Sequence, residues 1–258
     1  FTALVSGDEQ VVLATGDEVV QARSQGMDVI SVATYYREQP NVILTRTDTG
    51  IRTVADLKGK KVGIPGEYGS SWLALQAYLA SANMTTSDVN VMSIGYTQTS
   101  ALSKGDVDAI VGFANNEAVQ LSAAGVDAQA VECDCTIPLV SASLVTTSQW
   151  AKDHANELKE LLAATQEGMT TAVEHPDQAF AATEKRDTTL SDEKTRETAT
   201  KILTATNLLI LGANSTVSLE QDTSRWNEML SFMSSVSGLL QQDVTLDQVM
   251  TNDYVPQS

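Results

Sequence analysis

Tyr35 and Tyr36, Tyr68 with Trp72, Tyr96, and Phe113 stand beside small, polar or acidic residues in short segments of this chain. Aromatic residues make up only 5% of the sequence, so their grouping beside glycine- and hydroxyl-bearing turns points to non-covalent recognition of a planar ring. Aromatic faces stack on such a ring, while amides and carboxylates bond its edge. The edge-bonding groups on offer are Asn115, Asn116, Asp17, Glu18, Glu67 and Glu117, with Thr15, Ser70, Ser71 and Thr97 as hydroxyls and Gly66 and Gly69 admitting close backbone approach. Each aromatic also has a plain reading as a packing residue, and one helical turn is enough to send Trp72 into the core.

Covalent chemistry finds little to work with. The two histidines, His154 and His175, lie far along the chain from these turns; His154 falls on an apolar helical stripe and reads as a core residue, and His175, next to Pro176, as a surface one. Cys133 and Cys135 have no histidine near them, which excludes a zinc site on ligand count and leaves two thiols or a reducible local bridge. No Ser-His-Asp arrangement appears, and Gly63 to Gly69 lacks both the Walker and the dinucleotide patterns. Gly66-x-x-Gly69-Ser70-Ser71 before an amphipathic stretch suits a helix N-terminus, whose free N–H groups receive a ligand or serve only as a structural cap.

The elements that would position these residues alternate. Short apolar runs read as strands at Gln10 to Ala14, Val29 to Tyr35, Val42 to Arg46, Lys61 to Ile64, Val89 to Ile94, Ala109 to Phe113 and Ala128 to Glu132, with amphipathic stretches between them. From Ser148 onward long helices replace this rhythm. Trp150, Leu158, Leu162, Met169 and Val173 recur at helical spacing, with Ser148 as cap and Pro176 as terminator; Ser191 opens a second helix through Leu203 and Ser218 a third carrying Trp226, Met229 and Met233.

A repeat organises the first half. Ala3-Leu4, Gly7-Asp8, Glu18-x-Val20-Gln21 and Gly26-x-Asp28 return in the same order as Ala101-Leu102, Gly105-Asp106, Glu117-x-Val119-Gln120 and Gly125-x-Asp127, at a spacing of 98 and then 99 residues. Each copy reads as helix, Gly-Asp turn, strand and helix, and two copies suit a pair of related α/β lobes. Ligands of open α/β sheets sit beyond the carboxyl ends of the strands, the place that residues 15–18 and 113–117 occupy. If the lobes face each other, these turns line a shared cleft together with residues 66–72 and 95–97.

Composition narrows the partners. Sixteen Lys and Arg against 33 Asp and Glu give a formal charge of −17, which repels nucleic-acid backbones and anionic lipid, and 42% hydrophobic residues suffice for a core. The chain holds neither an apolar run long enough to span a bilayer nor a signal-peptide pattern.

Asp56-Leu-Lys-Gly-Lys-Lys-Val-Gly-Ile64, the glycine-rich loop after it, Lys104-Gly-Asp-Val-Asp-Ala109 and the helical tail ending near Asp253-Tyr254 resemble the solute-binding proteins of bacterial ABC importers. Ile94-Gly-Tyr-Thr-Gln98 and Gly112-Phe-Ala-Asn-Asn-Glu117 are most similar to the branch that binds the thiamine pyrimidine precursor, whose relatives take riboflavin, alkanesulfonates and nitrate. The resemblance implies an α/β, two-lobed periplasmic-binding-protein-like fold of type II, with each lobe a sheet flanked by helices and a helical C-terminal tail. Crossover strands at Val42 to Arg46 and Leu139 to Thr146 act as the hinge, giving a first lobe of residues 1–46 and 139–258 and a second of 47–138. Beside the second lobe the first is expected to lack its opening βαβ segment, which in the family carries a Trp-x-Pro-Asn type motif.

The implied protein is an extracytoplasmic monomer, periplasmic or a cell-surface lipoprotein, with no cofactor and no metal, delivering a small heteroaromatic ligand to a membrane permease. The expected cleft turns carry Asp17, Glu18, Glu67 and Glu117 and no basic residue, so a neutral or weakly basic ring is expected: a thiamine pyrimidine first, riboflavin second, and sulfonate- or nitrate-type anions third. Fungal relatives that make the thiamine pyrimidine use an active-site histidine and a cysteine-rich iron motif. Cys133-x-Cys135 is not such a motif, and an enzyme is the less favoured class.

Overall fold

Gly7 and Gly105 adopt the left-handed backbone, φ +84° and +78°, which a residue without a Cβ reaches at little cost. Each ends a short helix and releases the chain toward a strand, so the sequence repeat is also a structural one. In the computed structural model, which describes residues 1–256, the first copy runs α1 (Thr2–Ser6), β1 (Val12–Thr15), α2 (Gly16–Ser24) and β2 (Ile30–Thr34). Then come β3 (Asn41–Arg46), β4 (Lys61–Ile64), α3 (Gly69–Ser81) and β5 (Asn90–Ser93). The second copy is α4 (Gln98–Lys104), β6 (Ala109–Phe113), α5 (Glu117–Ala123) and β7 (Ala128–Ala130). Beyond it lie β8 (Ala142–Thr146), α6 (Ser148–Asp153), α7 (Ala155–Glu174), α8 (Pro176–Glu184), α9 (Glu193–Leu211), α10 (Thr223–Ser235) and α11 (Leu246–Val249).

The chain divides into two units. The first holds residues 1–39, 138–186 and those from Asn207 onward; the second holds 40–137 and 187–206. In the first, β8 is the middle strand of a three-stranded sheet, antiparallel to β1 on one side and β2 on the other, with Val12 opposite Val145 and Thr34 opposite Ser143. Val32 and Leu144 from this sheet join Leu158, Leu162 and Met169 of α7 in one buried cluster. The second unit has a five-stranded sheet in the order β5-β4-β6-β3-β7, in which β4 runs parallel to β5 and β6 while β3 runs antiparallel to β6 and β7. Leu44, Leu102, Val107, Ile110 and Leu121 form a core cluster there. Each fully buried leucine of this kind is worth about 1.5–3 kcal/mol.

Several expectations need correction. The stripe from Trp150 to Val173 spans two helices, because the chain breaks at His154 (φ −123°, ψ 38°). Thr147, not Ser148, caps α6, its hydroxyl accepting from the Trp150 amide at 3.1 Å. The run does end before Pro176, α7 closing at Glu174, and Pro176 also opens α8 at its first position, where the missing N–H costs nothing. The helix placed at Ser191 to Leu203 is α9, which begins after Asp192, whose carboxylate accepts from the Thr195 amide at 2.8 Å, and extends to Leu211. The one placed at Ser218 begins after Asp222, which accepts from the amides of Ser224 and Arg225. His154 is not a core residue: its side chain is half exposed, stacks on Trp150 at a 4.9 Å centroid distance and lies 3.5 Å from the Glu157 carboxylate.

Candidate functional site

In the first unit the turn from β1 into α2 is held by its own residues. The Thr15 amide and hydroxyl both donate to the Glu18 carboxylate at 2.9 Å, closing a capping box. Gly16 donates its amide to the Val140 carbonyl at 3.0 Å, and a Cβ on it would lie 2.6 Å from Val140 Cβ. Only glycine lets these segments approach so closely. Asp17 is fully buried, and neither of its carboxylate oxygens has a hydrogen-bond partner in the protein. Burial pushes its pKa up to about 7; the nearby Thr15 hydroxyl, already committed to Glu18, offsets a part, and the Glu18 charge adds to the rise.

At the end of β2, Tyr35 and Tyr36 both donate their amides to the Ala142 carbonyl, and their half-buried rings lie 5.2 Å apart at 48°. Tyr36 lines a cavity of about 30 Å³ with Arg37, Ser141, Arg225 and Trp226. The Arg225 guanidinium donates to the Arg37 carbonyl at 2.6 Å and pairs with Glu38 at 3.0 Å. Sequence reasoning passed over these residues, because they come from three separate segments and form no local motif.

In the second unit the loop after β4 presents Glu67 and Tyr68 to solvent. The Tyr68 ring lies against Gly66, where any Cβ would run into it, and Gly69, at φ +68°, turns the chain into α3. Tyr68 is 59% and Tyr96 83% exposed, and the neighbouring Tyr96 phenol holds the Tyr68 hydroxyl above its ordinary pKa. Ser70, Ser71 and Trp72, in the first turn of α3, are partly buried, and the turn receives no side-chain cap from Tyr68. Thr97 donates its hydroxyl to the Ile94 carbonyl at 2.7 Å, shaping the loop that carries Tyr96.

The turn after β6 repeats the device of the first unit. Glu117 reaches back to accept from the Phe113 amide at 2.8 Å, its side chain lying on Gly112. Asn116 donates to Glu117 at 3.2 Å and accepts from Gln120 at 2.7 Å. Asn115 is buried; its amide donates to the Thr206 hydroxyl at 3.0 Å while its oxygen has no partner. Asn41, absent from the sequence expectations, is equally buried. Its side-chain nitrogen approaches Ser71 Oγ at 3.5 Å, its side-chain oxygen is unpartnered, and its backbone carbonyl accepts from the Tyr78 hydroxyl at 3.0 Å.

Among the expected residues, then, Glu18 is committed to a capping box, Glu117 and Asn116 are bonded within their own turn, Tyr68 and Tyr96 are exposed neighbours, and Asp17 and Asn115 carry unpartnered buried atoms. Cys133 and Cys135 are bridged in a disulfide, 3.2 Å from the Ser81 hydroxyl. Among the described residues no cluster of three or more His, Cys, Asp or Glu could hold a metal ion, and no helix is long and apolar enough to cross a membrane.

Residues 1–179 match the family model described as NMT1/THI5 like. The riboflavin-binding protein RibY of Chloroflexus aurantiacus is 29% identical over 252 residues, 94% of this chain and 69% of that protein. The formylaminopyrimidine-binding protein of Halalkalibacterium halodurans is 26% identical over 68% of this chain and 54% of its own length. A relative of a different name, the 4-amino-5-hydroxymethyl-2-methylpyrimidine phosphate synthase of Legionella pneumophila, is 28% identical over 62% of this chain and 52% of its own length. The chain thus spans about half the length of the last two relatives. Among solved structures, the periplasmic aliphatic sulphonate binding protein SsuA of Escherichia coli superposes with a TM-score of 0.74 over 99% of this chain and 78% of its own, at 16% identity, a likeness of fold.

Proposed function

Because this chain belongs to the NMT1/THI5-like family, we propose that it is a solute-binding protein of an ABC importer, extracytoplasmic and monomeric, that hands a planar heteroaromatic vitamin or vitamin precursor to a membrane permease. The observation that carries the reading is the Tyr68–Tyr96 pair. Two large aromatic side chains stand 59% and 83% exposed on glycine-supported turns in a chain that holds few aromatics. Exposed ring surface of this kind is stabilised when a flat solute covers it. The RibY match along nearly the whole chain favours a flavin; the shorter match to a formylaminopyrimidine-binding protein supports a thiamine pyrimidine as the second reading.

The site is suited to binding, not turnover. The strand-end turns bear aromatics, amides and carboxyls, whereas His154 is engaged with Trp150 and Glu157, and His175 is exposed on the helical tail. A synthase would need a nucleophile or redox group near the ring. Titration of riboflavin by quenching of its fluorescence, beside a calorimetric titration of 4-amino-5-hydroxymethyl-2-methylpyrimidine, tests the reading. Saturable binding of either, with the ligand recovered chemically unchanged, supports it. Failure of both, or conversion of the ligand, refutes it.

A further inference from the structure

Tyr68 leads directly into α3, a helix of 13 residues whose first turn takes no hydrogen bond from the Tyr68 side chain. The first amides of a helix have no acceptor within it, so this turn presents main-chain donors beside the hydroxyls of Ser70 and Ser71. Asn41 reaches the same turn from the start of β3. It is 2% exposed and stands opposite Phe113, at the carboxyl end of β6, with its side-chain nitrogen 3.5 Å from Ser71 Oγ. The oxygen at the other end of that amide is buried and accepts no hydrogen bond. β4 runs parallel to β6 and ends at Ile64, from which the chain enters the Gly66 loop. Asn41, Tyr68 and the first turn of α3 therefore belong to one unit and to one end of one sheet.

Resting on the binding-protein reading above, we propose that Asn41 is a specificity residue, which together with the first turn of α3 receives an edge of the solute where a carbonyl stands beside an N–H. The carbonyl oxygen accepts from the helix amides, and the N–H donates to Asn41 Oδ1. Cyclic imides and lactams, such as the dione ring of a flavin, and formylamino groups carry such an edge. A buried acceptor left unpaired is costly, and the solute-free protein bears that cost at Asn41 until an N–H arrives. The positive end of the helix dipole favours the carbonyl oxygen at the same place. An oxyanion would satisfy the amides but brings no hydrogen to Asn41, and the exposed Glu67 carboxylate beside Tyr68 repels it. A carbonyl without a neighbouring N–H leaves the same oxygen unpaired. Sites of this kind discriminate strongly, because the wrong partner leaves a buried polar group unsatisfied.

The test compares riboflavin with 3-methylriboflavin, which keeps both carbonyls of the dione and loses the N–H between them, by fluorescence titration of the whole chain. The wild-type protein is expected to bind riboflavin about tenfold more tightly than the methylated ring. N41L, close to Asn in size but without an acceptor, is expected to lose about tenfold in riboflavin affinity and to erase the preference, which mere lack of room for the methyl group would not do. N41D keeps a side-chain acceptor and is expected to keep the preference. Equal affinity of the wild-type protein for the two flavins overturns the assignment, a comparison that needs no variant should N41L fail to fold. Retention of the preference in folded N41L overturns it as well, as does its loss in folded N41D. Binding of 4-amino-5-hydroxymethyl-2-methylpyrimidine without binding of riboflavin overturns the role of Asn41 and leaves the binding reading intact, because that ring has no carbonyl. Absence of binding by both rings refutes the two proposals together.

Discussion

Replacing Asp17 by Asn should stabilise the solute-free protein at alkaline pH and do little at acid pH. The carboxyl is fully buried without a partner, and its pKa stands at about 7 against 3.8 for the ordinary group. Between those values the folded state holds a proton that the unfolded chain has released, so unfolding stability falls as pH rises through that window and stays low above it. The gap between the two values corresponds to about 4 kcal/mol between the two plateaus, of which more than half is lost between pH 5 and pH 8. The neutral amide of D17N carries no such dependence, so the stability of the variant minus that of the wild type should grow by that amount across the same interval. Urea titrations of both proteins at the two pH values, without solute, measure it, and groups common to both proteins cancel in the difference. A difference that is the same at pH 5 and pH 8 would refute the reasoning, since it would mean that the carboxyl keeps its charge at both, solvated or paired. A difference that shrinks toward pH 8 would reverse the sign of the burial effect altogether.

Other perturbations follow from the same geometry. Gly66→Ala should push the Tyr68 ring from its seat and weaken solute binding severalfold while leaving the cooperative unfolding transition in place, read by fluorescence titration and circular dichroism. Tyr96→Ala should weaken ring binding by about 0.5–1.5 kcal/mol with an affinity that barely responds to salt between 0.05 and 0.5 M, because stacking carries little net Coulomb attraction; a steep salt dependence would favour an anion. Thr147→Ala, which removes the cap of α6, should cost about 1 kcal/mol of stability in denaturant titration and leave solute affinity unchanged. Asn115→Ala breaks the bond to Thr206 and should cost about 1 kcal/mol in the same assay.

Much of the scaffold could be read from periodicity, and its failures have identifiable causes. Lys61–Ile64 and Ala109–Phe113 were placed correctly because their apolar runs are bounded by turn residues. The break at His154 was invisible, since the apolar stripe continues in phase from Trp150 to Leu158 and periodicity cannot register a local change of ψ. The middle-strand role of β8 depends on pairing with residues more than a hundred positions away, Val145 with Val12, a contact that no local window contains. At the candidate site, the Gly66 loop and the exposed tyrosines stood out because glycine and aromatic residues are conspicuous side by side. Arg37, Ser141 and Trp226 did not: each is ordinary in its own segment, and only the fold brings them to one cavity. The commitment of Glu18 and Glu117 to main-chain amides was likewise hidden, because a carboxylate in a turn reads the same whether it faces a ligand or its own backbone.

The paired glutamate caps locate the single slip in the repeat. In the first copy the carboxylate reaches an amide three residues back, Thr15 from Glu18; in the second it reaches four back, Phe113 from Glu117. The added residue therefore sits inside the turn, between strand and helix, while the flanking Ala-Leu, Gly-Asp and Gly-x-Asp features are undisturbed. Two equal turns would offer the same groups twice. One inserted residue breaks that equivalence: the first turn ends on a buried carboxyl, Asp17, and the second on a buried amide, Asn115. The two copies thus differ in what each buries at its turn, so that only the first carries there a group whose charge changes with pH, while both keep a glutamate bonded to its own main chain.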